Sequence, residues 1–385
     1  MKYNIFYKGK HQFCWPVFLL TLGIAIFGIF MVYSASNYNA QKLYGDSMFF
    51  TTKQIVGVVL GACAMILFYF IDYQVLKKFW ITALVVGLVV LMLVFIPGVG
   101  IESYGAKRWL GFGSFSFQAS EVAKFCFIIF TATYMARFKD KMNTFKGALP
   151  VLGAGGLMCL LIILEPNMSI TICVGVLMVT MLLVGGMRLK HLLLLGIPVL
   201  CLIPLLIILE PYRLLRLMAF LDPWASPQGE GFQLIQSLYS LGSGGWFGVG
   251  LFNSRQKYSF LPFSESDFIF SIIGEELGFV GALLVVLAFG ALIFYGFKIA
   301  IHAKDRFGCY LAVGISTILA VQVILNIAVV TGAIPPTGLP LPLVSAGSTS
   351  IIMFMAGLGI LLNIYRQSEN PFKKSAINLL TRKHI

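Results

Sequence analysis

Asp267 stands in the run Ser264-Glu265-Ser266-Asp267-Phe268-Ile269-Phe270, and Glu275 and Glu276 follow two helical turns later in the same apolar stretch. Four carboxylates this close together at the edge of an apolar segment are costly to place and call for a role. A carboxylate held in such a place can take the proton of a hydroxyl nucleophile. The second set of residues is cationic: Lys107, Arg108 and Lys124, with Arg213, Arg216, Arg255 and Lys257 further along. Guanidinium and ammonium groups suit phosphate oxygens. A base beside phosphate-binding cations is what an amphiphilic, phosphate-linked substrate requires.

Plainer readings exist for each. Asp267 could cap the helix that follows it, although Asp267, Ser271 and Glu275 recur at i, i+4 and i+8 and set a polar stripe that must face protein or a water-filled cavity. Ser120 suits a helix N-cap and Glu121 the first turn. Glu121 and Lys124, three residues apart, can pair on one helix face, or Lys124 can reach an anionic group at the interface. Arg213 and Arg216 can lie against lipid headgroups.

The elements that must position these groups are membrane helices. In 385 residues the chain is 59% hydrophobic and 11% charged, with a mean hydropathy of +0.91. That excludes a soluble globular protein. Apolar runs long enough to cross a hydrocarbon core occur at 15–34, 54–71, 79–97, 120–137, 147–165, 169–186, 190–209, 268–297, 308–330 and 345–365. The expected fold is thus an all-α integral membrane protein of about ten transmembrane helices forming one polytopic domain, 1–385. The first span, after Lys2, Lys8 and Lys10, is expected to be an uncleaved anchor.

Most of the 28 basic residues fall in alternate loops and at both ends, which places both termini in the cytoplasm, including a tail at 366–385. Four outer segments then remain: 35–53, 98–119, 210–267 and the Pro- and Gly-rich 331–349. The third, between spans seven and eight, is too long to be structureless without a function. Its Trp224, Phe232, Tyr239, Trp246, Phe247 and Phe252 predict interfacial or re-entrant helices. The net charge of +13 reads as topology and contact with anionic lipid, with no nucleic acid expected. The seven cysteines have no CxxC spacing, so neither disulfide nor zinc is expected, and the GxxxxGK[ST] pattern of ATP-driven machines is absent.

Taken together, Pro223, Gly229 through Gln233, Ser237, Gly242-Ser243-Gly244-Gly245, Gly248-Val249-Gly250, Ser254-Arg255-Gln256-Lys257, Asp267-Phe268-Ile269-Phe270 and Gly274-Glu275-Glu276-Leu277-Gly278 resemble the SEDS family of bacterial cell-wall polymerases. Gly105 to Lys124 is similar to that family's arginine-tryptophan and Gln-Pro-Ser-Glu-x-x-Lys region, and Leu339-Pro340-Leu341-Pro342 with Ser345 and Gly347 to its last outer motif. Residues 254–257 and 274–278 look closer to the division and sporulation branch than to the elongation branch. Departures include Ala119 for proline, Glu165-Pro166-Asn167-Met168-Ser169 for a common Pro-Asp-Leu-Gly, and Glu265-Ser266 where His-Thr is usual.

The resemblance implies polymerisation of lipid II into β-1,4 glycan strands at the outer face of the cytoplasmic membrane, with undecaprenyl pyrophosphate leaving. It implies Asp267 as catalytic base. Arg108, Lys124, Glu121, Arg255, Lys257, Gln233 and Ser237 would meet the substrate, with Glu275, Glu276, Trp109 and Ser345 in support. The implied partners are a class B penicillin-binding protein and other divisome or elongasome membrane proteins. No metal ligands are expected, although a divalent cation, Mg or Mn, could assist at the pyrophosphate. The rival readings are a lipid II flippase, an elongation-type polymerase and a non-enzymatic scaffold.

Overall fold

A computed structural model describes residues 13–103, 106–112, 115–194, 196–197 and 211–368. Helices dominate: α1 (Trp15–Tyr44), α2 (Phe49–Phe70), α3 (Trp80–Leu93), α4 (Ala119–Arg137), α5 (Phe145–Leu164), α6 (Met168–Val184), α7 (Pro211–Leu221), α8 (Phe232–Gly244), α9 (Ile269–Ile301), α10 (Arg306–Val330) and α11 (Ser348–Gln367). Among the described residues, eight helical segments are long and apolar enough to cross a membrane, α3 together with the 3-10 turn Tyr73–Phe79 being one. The shorter apolar α6 accounts for a ninth expected span. The span expected at 190–209 and most of the tail expected at 366–385 lie outside the described residues.

The core is built from α4, α10 and α11, whose sequences stay apolar on nearly every face because other helices surround them. The tightest pairing is α2 against α11. There Gly57 and Gly61, one turn apart, let α2 approach until a Cβ on Gly61 would stand 2.6 Å from Met355 Sδ. Small residues at such seams allow close van der Waals packing where lipid gives no hydrophobic drive.

One feature departs from the expected all-α fold. Segment 98–119 forms a small antiparallel sheet in the order β1 (Gly100–Ser103), β2 (Ala106–Phe112), β3 (Phe115–Gln118). Between two spans, polar backbone at the interface needs partners, and strand pairing supplies them internally. The sheet leads straight into α4, which begins at Ala119, so Ser120 lies inside the helix and Gln118 takes the cap position. The long 210–267 segment contains α7 and α8, as its aromatic content suggested.

The far end of the bundle is tied differently. Asp305, between α9 and α10, accepts hydrogen bonds from Tyr73 Oη (2.8 Å), Gln74 Nε2 (2.8 Å), Lys77 Nζ (3.0 Å) and the Gly308 amide (2.9 Å). Asn363 near the end of α11 accepts from the Tyr73 amide at 3.1 Å and donates to the Tyr69 carbonyl at 2.6 Å.

Candidate active site

A cavity of about 950 Å³ opens at the end of the bundle where α2, α4, α6, α9 and α11 begin and α5 and α10 end. Its wall collects side chains from α2, β2, β3, α6, α7, α8, the 263–268 turn and the 334–350 segment. The residues before and after Asp267 explain why that turn is rigid. Ser345 Oγ donates to the Ser266 carbonyl (2.5 Å) and accepts from the Leu341 amide (2.7 Å). Asn326 on α10 donates to the Asp267 carbonyl (2.8 Å) and the Leu339 carbonyl (2.6 Å). Gly338, at φ +71°, lets the backbone of the opposite wall come up to the carboxylate, since a Cβ there would sit 3.3 Å from Asp267 Oδ2.

Asp267 lies just ahead of α9, whose cap is Phe268, and lines the cavity rather than capping the helix. Burial pushes its carboxyl up to about 6, opposed by a hydrogen bond from Ser266 and by the positive charges of Arg108 and Arg216. Glu265 also pushes it upward. The polar stripe that follows faces protein, as an unpaired charge could not face lipid. Ser271 meets Ser237 Oγ at 2.7 Å, and Glu275 meets Ser240 Oγ at 3.3 Å.

Arg108 and Trp109 on β2 and Gln233 on α8 line the same cavity as Asp267. The Arg108 guanidinium donates to the Glu165 carbonyl (3.2 Å) and to the Pro166 carbonyl, which pins it to the α5–α6 turn. Burial pushes the Glu165 carboxyl up to about 8, with Arg108 pulling the other way. Arg216 on α7 lines the cavity and pairs with Glu230 at 3.6 Å.

Other expected contact residues are elsewhere. Lys124 is fully buried on α4, bonded to Glu121 Oε1 (2.7 Å) and Gln322 Oε1 (2.8 Å), so of its two readings the structure takes the paired one. Gln322 in turn donates to the Pro340 carbonyl on the cavity wall (3.1 Å), which leaves Lys124 and Glu121 one residue behind it. Ser237 is buried and donates to the Val330 carbonyl. Lys257 is buried too, 3.8 Å from Glu276 and bonded to the Phe252 carbonyl. Arg255 is exposed outside the cavity lining, its amide bonded to Glu275 Oε1 at 2.9 Å. The 254–257 loop is held against α9 because Glu275 and Glu276, buried there, need donors: Ser254, the Arg255 amide and Lys257 supply them, as does Ser34 from α1.

Sequence reasoning did not single out Lys53, Gln54 and Asn326. Lys53 and Gln54 line the cavity from the first turn of α2, and Gln54 donates to the Val344 and Ser345 carbonyls. A lysine at the outer start of an apolar span, where basic residues are scarce, was the available signal. For Asn326 it was an amide one turn after Gln322, near the end of an otherwise apolar helix.

The chain is thus a polytopic helical membrane protein that gathers a carboxylate and two arginines in one cavity at an end of its bundle. Comparison narrows the class: residues 14–370 match the FtsW/RodA/SpoVE family model, described as cell cycle protein, and the chain belongs to that family. It is 40% identical over 353 residues to stage V sporulation protein E of Bacillus subtilis (strain 168), covering 91% of this chain and 96% of that one. It is 37% identical over 350 residues to the probable peptidoglycan glycosyltransferase FtsW of Geobacter sp. (strain M18), covering 90% and 95%. Among solved structures, it resembles a chain from "Structural coordination of polymerization and crosslinking by a peptidoglycan synthase complex", with TM-score 0.76, 28% identity and coverage of 92% and 98%. It also resembles the rod shape determining protein RodA of Thermus thermophilus, with TM-score 0.68, 25% identity and coverage of 93% and 99%.

Proposed function

We propose that this chain is a peptidoglycan glycosyltransferase that polymerises lipid II into β-1,4 glycan strands at the outer face of the cytoplasmic membrane, serving septum synthesis in division or sporulation. The observation that carries the reading is Asp267, a carboxyl near 6 in the cavity that also holds Arg108 and Arg216. A base with a midpoint just below neutral is ionised at working pH yet still takes a proton readily. In the reaction, the acceptor 4-hydroxyl loses its proton to Asp267 as its oxygen bonds the donor's anomeric carbon. The bond from that carbon to the phosphate oxygen breaks, and its electron pair leaves on undecaprenyl pyrophosphate. Arg108, Arg216 and Lys53 supply positive charge where that negative charge develops.

Gln233 and Trp109 contact the sugars in this reading. Lys124, Glu121 and Gln322 act indirectly by fixing the Pro340 wall, and Glu275 and Glu276 by holding the 254–257 loop. A divalent cation, Mg or Mn, assisting at the pyrophosphate would be held largely by the substrate's own phosphates, with Asp267 and Glu265 the carboxylates that line the cavity. The partner is a cross-linking class B penicillin-binding protein, within a larger set of division membrane proteins. Purified chain given lipid II, alone and with that partner, tests the reading: glycan strands form with wild type and not with Asp267→Asn. Equal strand synthesis by Asp267→Asn would remove the base. Lipid II translocation across vesicles without strand synthesis would favour the flippase.

A further inference from the structure

Glu265 is the second carboxylate of the cavity and has no part in the reaction as just written. It is nine-tenths buried, two residues from Asp267 on the same turn. Its side chain has one weak partner in Ser264 Oγ, at 3.4 Å, while its backbone carbonyl is fixed by the Ala346 amide at 2.9 Å. That bond ties the backbone of the turn that carries both carboxylates to the 341–346 segment. Three charged groups act on Asp267, Arg108 from β2, Arg216 from α7 and Glu265 as the negative one, while Lys53 of α2 lines the same cavity. Two arginines alone would hold an aspartate well ionised and make it a feeble base.

We propose that Glu265 is a positioning residue for Asp267, a fixed negative charge that offsets the cavity's arginines and keeps the aspartate basic enough to take the acceptor's proton. The inference rests on the reading of Asp267 as the base. Burial is the main cause that raises Asp267, and the charge of Glu265 adds to it against Arg108 and Arg216.

The test is the pH dependence of kcat/KM for strand synthesis by the purified chain with its partner, on lipid II. In wild type the acid limb reports Asp267. Glu265→Gln removes the like charge, so the limb is expected to move to lower pH by about half a unit or more. The plateau rate falls several-fold with the weaker base. Glu265→His, neutral or positive where the limb falls, moves it further in the same direction and serves if the glutamine variant does not fold. Glu265→Asp, which keeps the charge, restores a limb close to wild type. A limb that stays in place in the charge-removing variants, while Asp267→Asn is inactive, overturns the inference and leaves the base assignment standing. Full activity of Asp267→Asn overturns the base assignment instead.

Discussion

At the scale of single residues, Asp267 differs from the other acidic groups by what surrounds it. Glu275 accepts three hydrogen bonds and Glu276 two, with Lys257 beside it, and both hold the 254–257 loop, whereas the Asp267 carboxyl lines a cavity that also holds Arg108 and Arg216. Replacing a general base commonly costs about 10²–10⁴-fold in rate. Asp267→Asn is therefore expected to lower lipid II turnover by that order while leaving the melting temperature of detergent-solubilised protein near wild type. The sign of the pH effect follows from the direction of the shift. A carboxyl raised to about 6 is ionised above that value and protonated below it, so turnover is expected to fall as pH drops through 6. The sequence put Asp267, Arg108 and Arg216 at the lips of apolar spans, but it offered a plain reading beside the functional one for Asp267 and Arg216, a cap and lipid headgroups, and only the fold shows that the three line one cavity. What could not be read was which charges meet: Lys124 sits in a motif at the right end of a helix, yet its side chain turns inward to Glu121 and Gln322.

Elements decide what the buried pairs do. Lys124 and Glu121 are both sealed between α4 and α10, and removing one partner leaves the other charge without compensation, at a cost of about 3–5 kcal/mol. Lys124→Met should therefore lower the yield of folded protein and its melting temperature, and the double variant Lys124→Met with Glu121→Gln should recover much of that loss. Recovery of stability without recovery of turnover would show that the pair also fixes the Pro340 wall through Gln322. A second element-level outcome concerns α9, which is interrupted at Gly278, φ +68°, where the loop around Gly248 crosses it. A Cβ on Gly278 would stand 2.3 Å from the Gly248 amide nitrogen. Gly278→Ala is expected to displace the loop and with it Arg255 and Lys257, measurable as faster proteolysis between 246 and 258. Hydropathy located the helices well because a span is a long, coherent signal. The 100–118 sheet was missed because three short strands between spans carry no comparable periodicity, and the kink because glycine in an apolar run is ordinary in membrane helices.

For the whole molecule, the two ends of the bundle are built on different terms. One end is a wide cavity whose wall is assembled from loops and short elements. The other is cross-linked around Asp305 and Asn363, which join the α2–α3 connection to the start of α10 and the end of α11. The proposed substrate carries a long isoprenoid tail, and in that reading helices part at the cavity end to admit it sideways. With the far end clamped, they can part only as tweezers do, wide at the cavity and pivoting near Asp305. The pivot also sets a limit, because a tweezer arm about 20 residues long, at 1.5 Å per residue, turns each degree of tilt into about half an ångström of opening at its tip. Amides of 334–347 are expected to exchange hydrogen for deuterium much faster than those of 306–310. Asp305→Asn, which weakens the pivot, should narrow that difference and slow each round of catalysis without touching the cavity.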